Sequence, residues 1–294
     1  MNRYAKRLVH VALLGTAILS LSACGKSGPN QVNEKTVSFI KDAQSPNQRI
    51  WFMANSEHSD TYDLSKDTHI DQILVTKNGM ATVYNTPTYT FLMRDIDGKS
   101  DKKIISMAKA EDKKYYHETI QKSKDDLQER IDSDKGILKN NTFTANADER
   151  KDKQRLESDI QHMLAFQAKF PVVKYEKPTA KPLRASVVTD NSGNNVVQEN
   201  IVHQRIKLDD KVWSYKFKEH DLPFSYPENM KLTMSNGFSQ TYDSPVKILS
   251  SMYVGYTNET NNQPNIYLIT KTTNKDTKSV FDSLKTKKVT EAKD

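Results

Sequence analysis

The chain reads as an α+β protein: an N-terminal small antiparallel sheet with a helical hairpin, followed by a C-terminal all-β region of sandwich- or barrel-like type. Three observations carry this reading. Residues 49–93 hold short β-favouring apolar runs around an Asn-Gly turn. Residues 100–170 switch to apolar side chains spaced by three and four. Residues 183–272 return to short runs broken by turn residues, with no sustained helical period. The organisation that follows is an α+β domain over 35–173, a Pro/Lys linker over 174–182, a β-rich domain over 183–274 and a polar tail over 275–294.

Each element has a local reason. Val37, Phe39 and Ile40 open the ordered chain. Arg49-Ile50-Trp51-Phe52-Met53 is bounded by Pro46-Asn47 and Asn55-Ser56, so it reads as a strand. Ile73-Leu74-Val75 and Met80-Ala81-Thr82-Val83-Tyr84 flank Asn78-Gly79, the pair that best supports two consecutive positive φ angles in a type I′ hairpin. Tyr89 to Met93 reads as a further strand.

Ser100 is placed to cap a helix, with Asp101 in its first turn. Ile104, Ala108, Tyr115, Tyr116, Ile120, Leu127 and Ile131 recur at helical spacing, and the thin apolar stripe at Asp112 and Ser123 marks places for a break. A second helix spans Asp148 to Phe170, with Leu156, Ile160, Met163 and Leu164 on its apolar face and Pro171 as its stop. Lys174 to Pro182 holds two prolines and three lysines in nine residues, which favours extended chain.

Beyond it, Leu183–Thr189 and Val196–Ile206 flank a turn-rich loop at Asp190–Asn194. Val212–Phe217 alternates, Asn236-Gly237 reads as a second hairpin turn, and Val246–Tyr256 and Asn265–Thr272 read as two more strands, with Pro264 at the entry of the last. Residues 275–294 are polar and are expected to fray.

Composition narrows the class. The chain has 294 residues, 36% apolar and 28% charged, which excludes a polytopic membrane protein. Thirteen Tyr, ten Phe and two Trp supply enough aromatic anchors to exclude full disorder.

Residues 1–23 are not part of that fold. Arg3, Lys6 and Arg7 form a positive start, and Leu8 to Leu21 is an apolar stretch of 14 residues. A membrane-spanning helix needs about 20, so the stretch reads as a signal peptide. It ends at Leu21-Ser22-Ala23-Cys24, and Cys24 is the chain's sole cysteine. This junction resembles the lipobox of bacterial lipoproteins, and the chain looks like the small surface lipoproteins of low-GC Gram-positive bacteria.

The resemblance implies that Leu21, Ser22 and Ala23 are read by a signal peptidase. It implies too that Cys24 becomes the N-terminus and carries an S-diacylglyceryl group; acylation of its amine stays open. Residues 24–34 are then the lipidated Cys and a polar tether. Ten flexible residues reach about 18 Å, which keeps the folded part near the membrane. Removing 23 residues, three of them basic and none acidic, leaves 271 with a net charge of +4 instead of +7.

Motifs for chemistry are weak. His58, Asp60, Asp63, Asp67, His69 and Asp71 gather in one short segment without the spacing of a known metal site. They read as solvated loop residues, so replacing His58 and His69 by Ala is expected to cost no more than about 0.5 kcal/mol. Asp95-Ile96-Asp97-Gly98 lacks the later ligands of a calcium loop, and Gly98-Lys99-Ser100 lacks the upstream glycine of a phosphate loop. No Gly-x-Ser-x-Gly or His-Glu-x-x-His pattern occurs.

The expectation is a membrane-anchored extracytoplasmic lipoprotein with a non-catalytic binding role. It takes no cofactor and no metal. Its partners are membrane lipid through Cys24 and an anionic cell-wall polymer or another surface protein, not nucleic acid. A hydrolase acting on wall polymer is the alternative; a transporter's ligand-binding component, which needs repeated strand–helix alternation, ranks below it.

Overall fold

The computed structural model describes residues 34–56, 63–87, 90–140, 147–170, 173–208, 227–258 and 266–292. In chain order the first elements are β1 (Thr36–Val37), α1 (Phe39–Ala43), β2 (Arg49–Asn55), β3 (His69–Lys77) and β4 (Met80–Asn85). Two helices follow, α2 (Asp101–Asn140) and α3 (Ala147–Ala168). Next come β5 (Lys181–Pro182), β6 (Arg184–Thr189), β7 (Val196–Leu208) and β8 (Asn229–Phe238). The chain closes with β9 (Gln240–Thr241), β10 (Val246–Ile248), β11 (Ser251–Thr257), β12 (Ile266–Thr272), β13 (Lys278–Ser279) and β14 (Val289–Glu291). The protein is α+β.

The larger sheet runs β10-β11-β12-β2-β3-β4-β5, with β9 beside β11. The smaller runs β14-β6-β7-β8. β2 explains the layering. It lies between β12 and β3, and its five inner residues are all buried. Alternation sends Trp51 and Met53 to one face and Ile50, Phe52 and Ala54 to the other. The first face meets α1 and the smaller sheet, packing with Phe39, Leu74, Ala185, Ile201, Phe238 and Tyr256. The second meets the start of α2, packing with Ile73, Ile96, Ile104, Ala108 and Tyr253. A strand covered on both faces therefore reads as a continuous apolar run. Strands from both sides of the Lys174–Pro182 segment share the larger sheet, and β5 extends it at β4.

The β3–β4 turn forms as the sequence indicates, with Asn78 at φ 52° and Gly79 at φ 73°. Four other expectations are corrected. First, Leu92 makes only an isolated bridge to His69, and Met93–Ile96 winds into a 3₁₀ turn; residues 88 and 89 lie outside the described residues. Second, α2 runs unbroken for 40 residues. Its thin places are buried and bonded: Asp112 accepts from the Asn85 N–H at 2.8 Å and the Tyr175 hydroxyl at 2.8 Å, and the Ser123 hydroxyl donates to the Thr119 carbonyl at 3.0 Å. Third, Asn236-Gly237 sits inside β8, opposite Ile201 and Asn200, and makes no turn. Fourth, the 246–256 run folds back at Leu249–Ser250, with Leu249 at φ 52°. Asp97 holds that turn, accepting from the Ser250 N–H at 3.2 Å and the Ser251 hydroxyl at 3.0 Å.

α2 and α3 form the helical hairpin, joined by Leu127, Ile131, Ile160, Met163 and Phe166. Residues 275–292, expected to fray, are tied in. β13 pairs with β1 and β14 with β6, both in parallel, and Asp282 is buried. Its carboxylate accepts from the Ser38 hydroxyl at 2.6 Å and from the Ile40 and Lys41 N–H groups at 2.6 and 3.0 Å, which caps α1 from 244 residues away. Val212–Phe217 and Pro264 lie outside the described residues.

Candidate functional site

The inward face of β7 is polar where a covered strand is ordinarily apolar. Alternation places Glu199, Ile201, His203 and Arg205 toward the larger sheet, and the first three are buried. Ile201 joins the core, while the other three meet polar partners. His203 Nε2 lies 3.0 Å from Gln72 Oε1, so Nε2 carries the hydrogen. Burial, with Arg205 adding to it, lowers the His203 pKa from 6.5 to about 4, and the ring is neutral.

Arg205 stands at the edge of this layer. Its Nη1 donates to Asn85 Oδ1 at 3.3 Å. Asn85 Nδ2 donates to the Ile206 carbonyl at 2.7 Å, and the Asn85 N–H reaches Asp112. Asp112 takes the Tyr175 hydroxyl on its other oxygen. The relay Arg205–Asn85–Asp112–Tyr175 thus ties β7, β4, α2 and the 173–180 segment together. Burial raises the Asp112 pKa, opposed by the Asn85 and Tyr175 bonds. Burial lowers the Arg205 pKa, opposed by Tyr115 and Asp71; a guanidinium nonetheless stays protonated. Its Nε is buried and has no hydrogen-bond partner among the described residues.

A cleft of about 150 Å³ opens beside this guanidinium. Arg205, Lys177, Lys181 and Lys231 line it, with Glu176 as the one carboxylate and Val83 and Pro178 as apolar walls. A second, water-sized cavity of about 10 Å³ lies against Asp112, Tyr116, Tyr175 and Asn229. Glu176 is drawn toward Asn229, whose Nδ2 donates to it at 3.2 Å and to the Lys174 carbonyl at 3.0 Å. The 173–177 chain is fixed by these bonds, which sets where Lys177 stands.

The sequence singled out other residues. Leu21, Ser22, Ala23 and Cys24, like His58 and Asp60, lie outside the described residues. Asp67 pairs with Arg94 at 2.5 Å on the surface. Among the described residues no three His, Cys, Asp or Glu side chains gather as a metal site. His69 is not a solvated loop residue. It is buried at the start of β3, with Nδ1 2.7 Å from Asp71 Oδ1 and Nε2 2.9 Å from the Pro87 carbonyl. His69→Ala is therefore expected to cost about 2 kcal/mol, because the buried Pro87 carbonyl loses its bond and the buried ring leaves a void. Urea unfolding checks this, and a loss below about 0.5 kcal/mol contradicts it.

Arg205, Lys231, His203 and Asn85 escaped the sequence reading. The usable signal was Glu199, His203 and Arg205 alternating around Ile201, which puts titratable groups on one strand face. No helix among the described residues is long and apolar enough to cross a membrane. In comparisons with known proteins, no family model, no curated protein and no solved structure matches the chain.

Proposed function

We propose that this is an extracytoplasmic lipoprotein, held at the outer face of the cell membrane by lipid on Cys24, with a non-catalytic role in binding an anionic partner at the cell surface. The observation that carries the anchoring is Leu21-Ser22-Ala23-Cys24 at the end of a 14-residue apolar stretch, with the chain's sole cysteine at the lipid-accepting position. The cleft supports a binding role: four cations and one carboxylate surround it, a balance suited to holding anions. An anionic wall polymer fits that charge. In this reading the N-terminal sheet and helical hairpin form the body, and the C-terminal strands supply a sandwich-like layer over it, supported by their shared core.

Cys24→Ala is expected to abolish fatty-acid labelling and to release the chain from the membrane fraction or leave it as uncleaved precursor. Two acyl chains anchor stably, at about 0.8 kcal/mol per buried CH₂, so no intermediate degree of binding is expected. Metabolic labelling with a fatty acid followed by fractionation reads both. Equal label on the wild type and the variant contradicts the assignment.

A further inference from the structure

We propose that the cleft holds the phosphate group of an anionic ligand, with the Arg205 guanidinium as its anchor and Lys177, Lys181 and Lys231 as the surrounding charge. The proposal deepens the binding role above and rests on it. Three observations converge. Arg205 is fixed by Asn85 on one side, and its Nε faces no partner among the described residues. Arg205 lines the cleft, and a guanidinium fork fits two oxygens of an oxyanion at once. None of the four cations forms an ion pair with a described carboxylate. Glu176 is the one carboxylate in the lining against these four cations, so the cleft keeps an excess of positive charge.

Size selects the chemistry further. Sites for drug-sized ligands run to about 300–1,000 Å³. At about 150 Å³ the cleft admits one oxyanion head and a short stem, not a whole nucleotide. Val83 and Pro178 give the stem an apolar wall, and Thr179 adds a hydroxyl. Charge separates phosphate from carboxylate. One guanidinium and three ammonium groups suit a head with up to two negative charges and three acceptor oxygens better than a single carboxylate. The phosphate could arrive free, on a soluble phosphoester or repeated along a polymer; the chemistry at Arg205 is the same.

The test is calorimetric titration of the full lipidated chain in non-ionic detergent at low salt. The probes are inorganic phosphate, glycerol 1-phosphate, acetate and, separately, vesicles of phosphatidylglycerol and of neutral phosphatidylcholine. Both phosphate probes are expected to bind, acetate at least tenfold more weakly, and added salt to weaken all three. Arg205→Lys keeps the charge but removes the fork, and is expected to weaken phosphate at least tenfold. Lys177→Ser with Lys231→Ser alters only exposed positions, so its fold is secure, and it is expected to weaken phosphate about tenfold.

The proposal is overturned if neither phosphate probe binds, if acetate binds as well as phosphate, or if the variants bind as the wild type does. Tighter binding to phosphatidylglycerol vesicles than to neutral phosphatidylcholine vesicles, with neither phosphate probe bound, also overturns it, by assigning the charge to a bilayer. Failure here is separable from failure of anchoring. A membrane-bound chain that ignores phosphate removes the cleft and leaves the anchor. An unlipidated chain that binds phosphate does the reverse.

Discussion

Glu199→Gln is expected to raise the melting temperature, and to raise it far more at pH 8 than at pH 5. Glu199 is fully buried on β7. Its Oε2 accepts the Asp282 N–H at 2.8 Å, while Oε1 has no partner among the described residues. Burial first, and the neighbouring Asp282 carboxylate second, push its pKa from 4.5 up to about 9. The folded state therefore keeps a proton that the unfolded chain releases above pH 4.5. The stability this group contributes is full below pH 4.5 and is lost as pH rises toward 9. Each pH unit costs about 1.4 kcal/mol, so the loss between pH 5 and pH 8 reaches about 4 kcal/mol as an upper bound.

Gln carries the neutral shape, keeps an acceptor for the Asp282 N–H and does not titrate. His203 acts with the opposite sign: its pKa is lowered from 6.5 to about 4, so its contribution is full above pH 6.5 and is lost as pH falls toward 4. Between pH 4.5 and 6.5 the two slopes offset, and above 6.5 the Glu199 slope stands alone. Scanning calorimetry at both pH values checks this. An equal shift at pH 5 and pH 8, or destabilisation at pH 8, contradicts it.

Gly255→Ala is expected to destabilise the fold by more than about 3 kcal/mol, the upper end for overpacking. Gly255 lies in β11 opposite Ile269 of β12, between the buried Val254 and Tyr256. A Cβ built there comes 2.0 Å from the Leu268 carbonyl oxygen and 2.8 Å from the Ile269 Cα. Both obstacles are backbone of the paired strand, so no rotamer relieves them. The Gly255 carbonyl also takes the Tyr242 N–H at 3.0 Å and the Ser279 hydroxyl, so a shift of β11 disturbs the seat of β13. A fall of roughly 10 °C in Tm follows. The control is Gly136, inside α2 with nothing within 4 Å of an added Cβ. Gly136→Ala should stabilise by about 0.5–1 kcal/mol. Equal effects at the two positions would show that β11 and β12 are not as close as described.

Local chemistry was legible; long-range chemistry was not. Asn78-Gly79 announced its turn because the needed φ values are written in the two residues themselves. The run from Arg49 to Met53 announced a strand, and the spacing of Leu127, Ile131, Ile160 and Met163 announced the hairpin. Asn236-Gly237 carried the same turn signal and misled. There the missing side chain makes room for Asn200 Oδ1, which would lie 2.7 Å from an added Cβ. Asp112 read as a weakness in α2 because its partners, Asn85 and Tyr175, lie 27 and 63 residues away. The cleft was hidden for the same reason. Arg205 and Lys231 come together with Lys177 and Lys181 only when β7 pairs with β8 and lies over β4. Alternation says which residues share a strand face, but not that the face is covered.

Mass spectrometry of the N-terminal peptide, taken from protein extracted from membranes, tests the central claim most directly. The account predicts a chain that begins at Cys24 and carries a diacylglyceryl mass on its sulfur. A peptide that begins at Met1, or an unmodified Cys24, would contradict it.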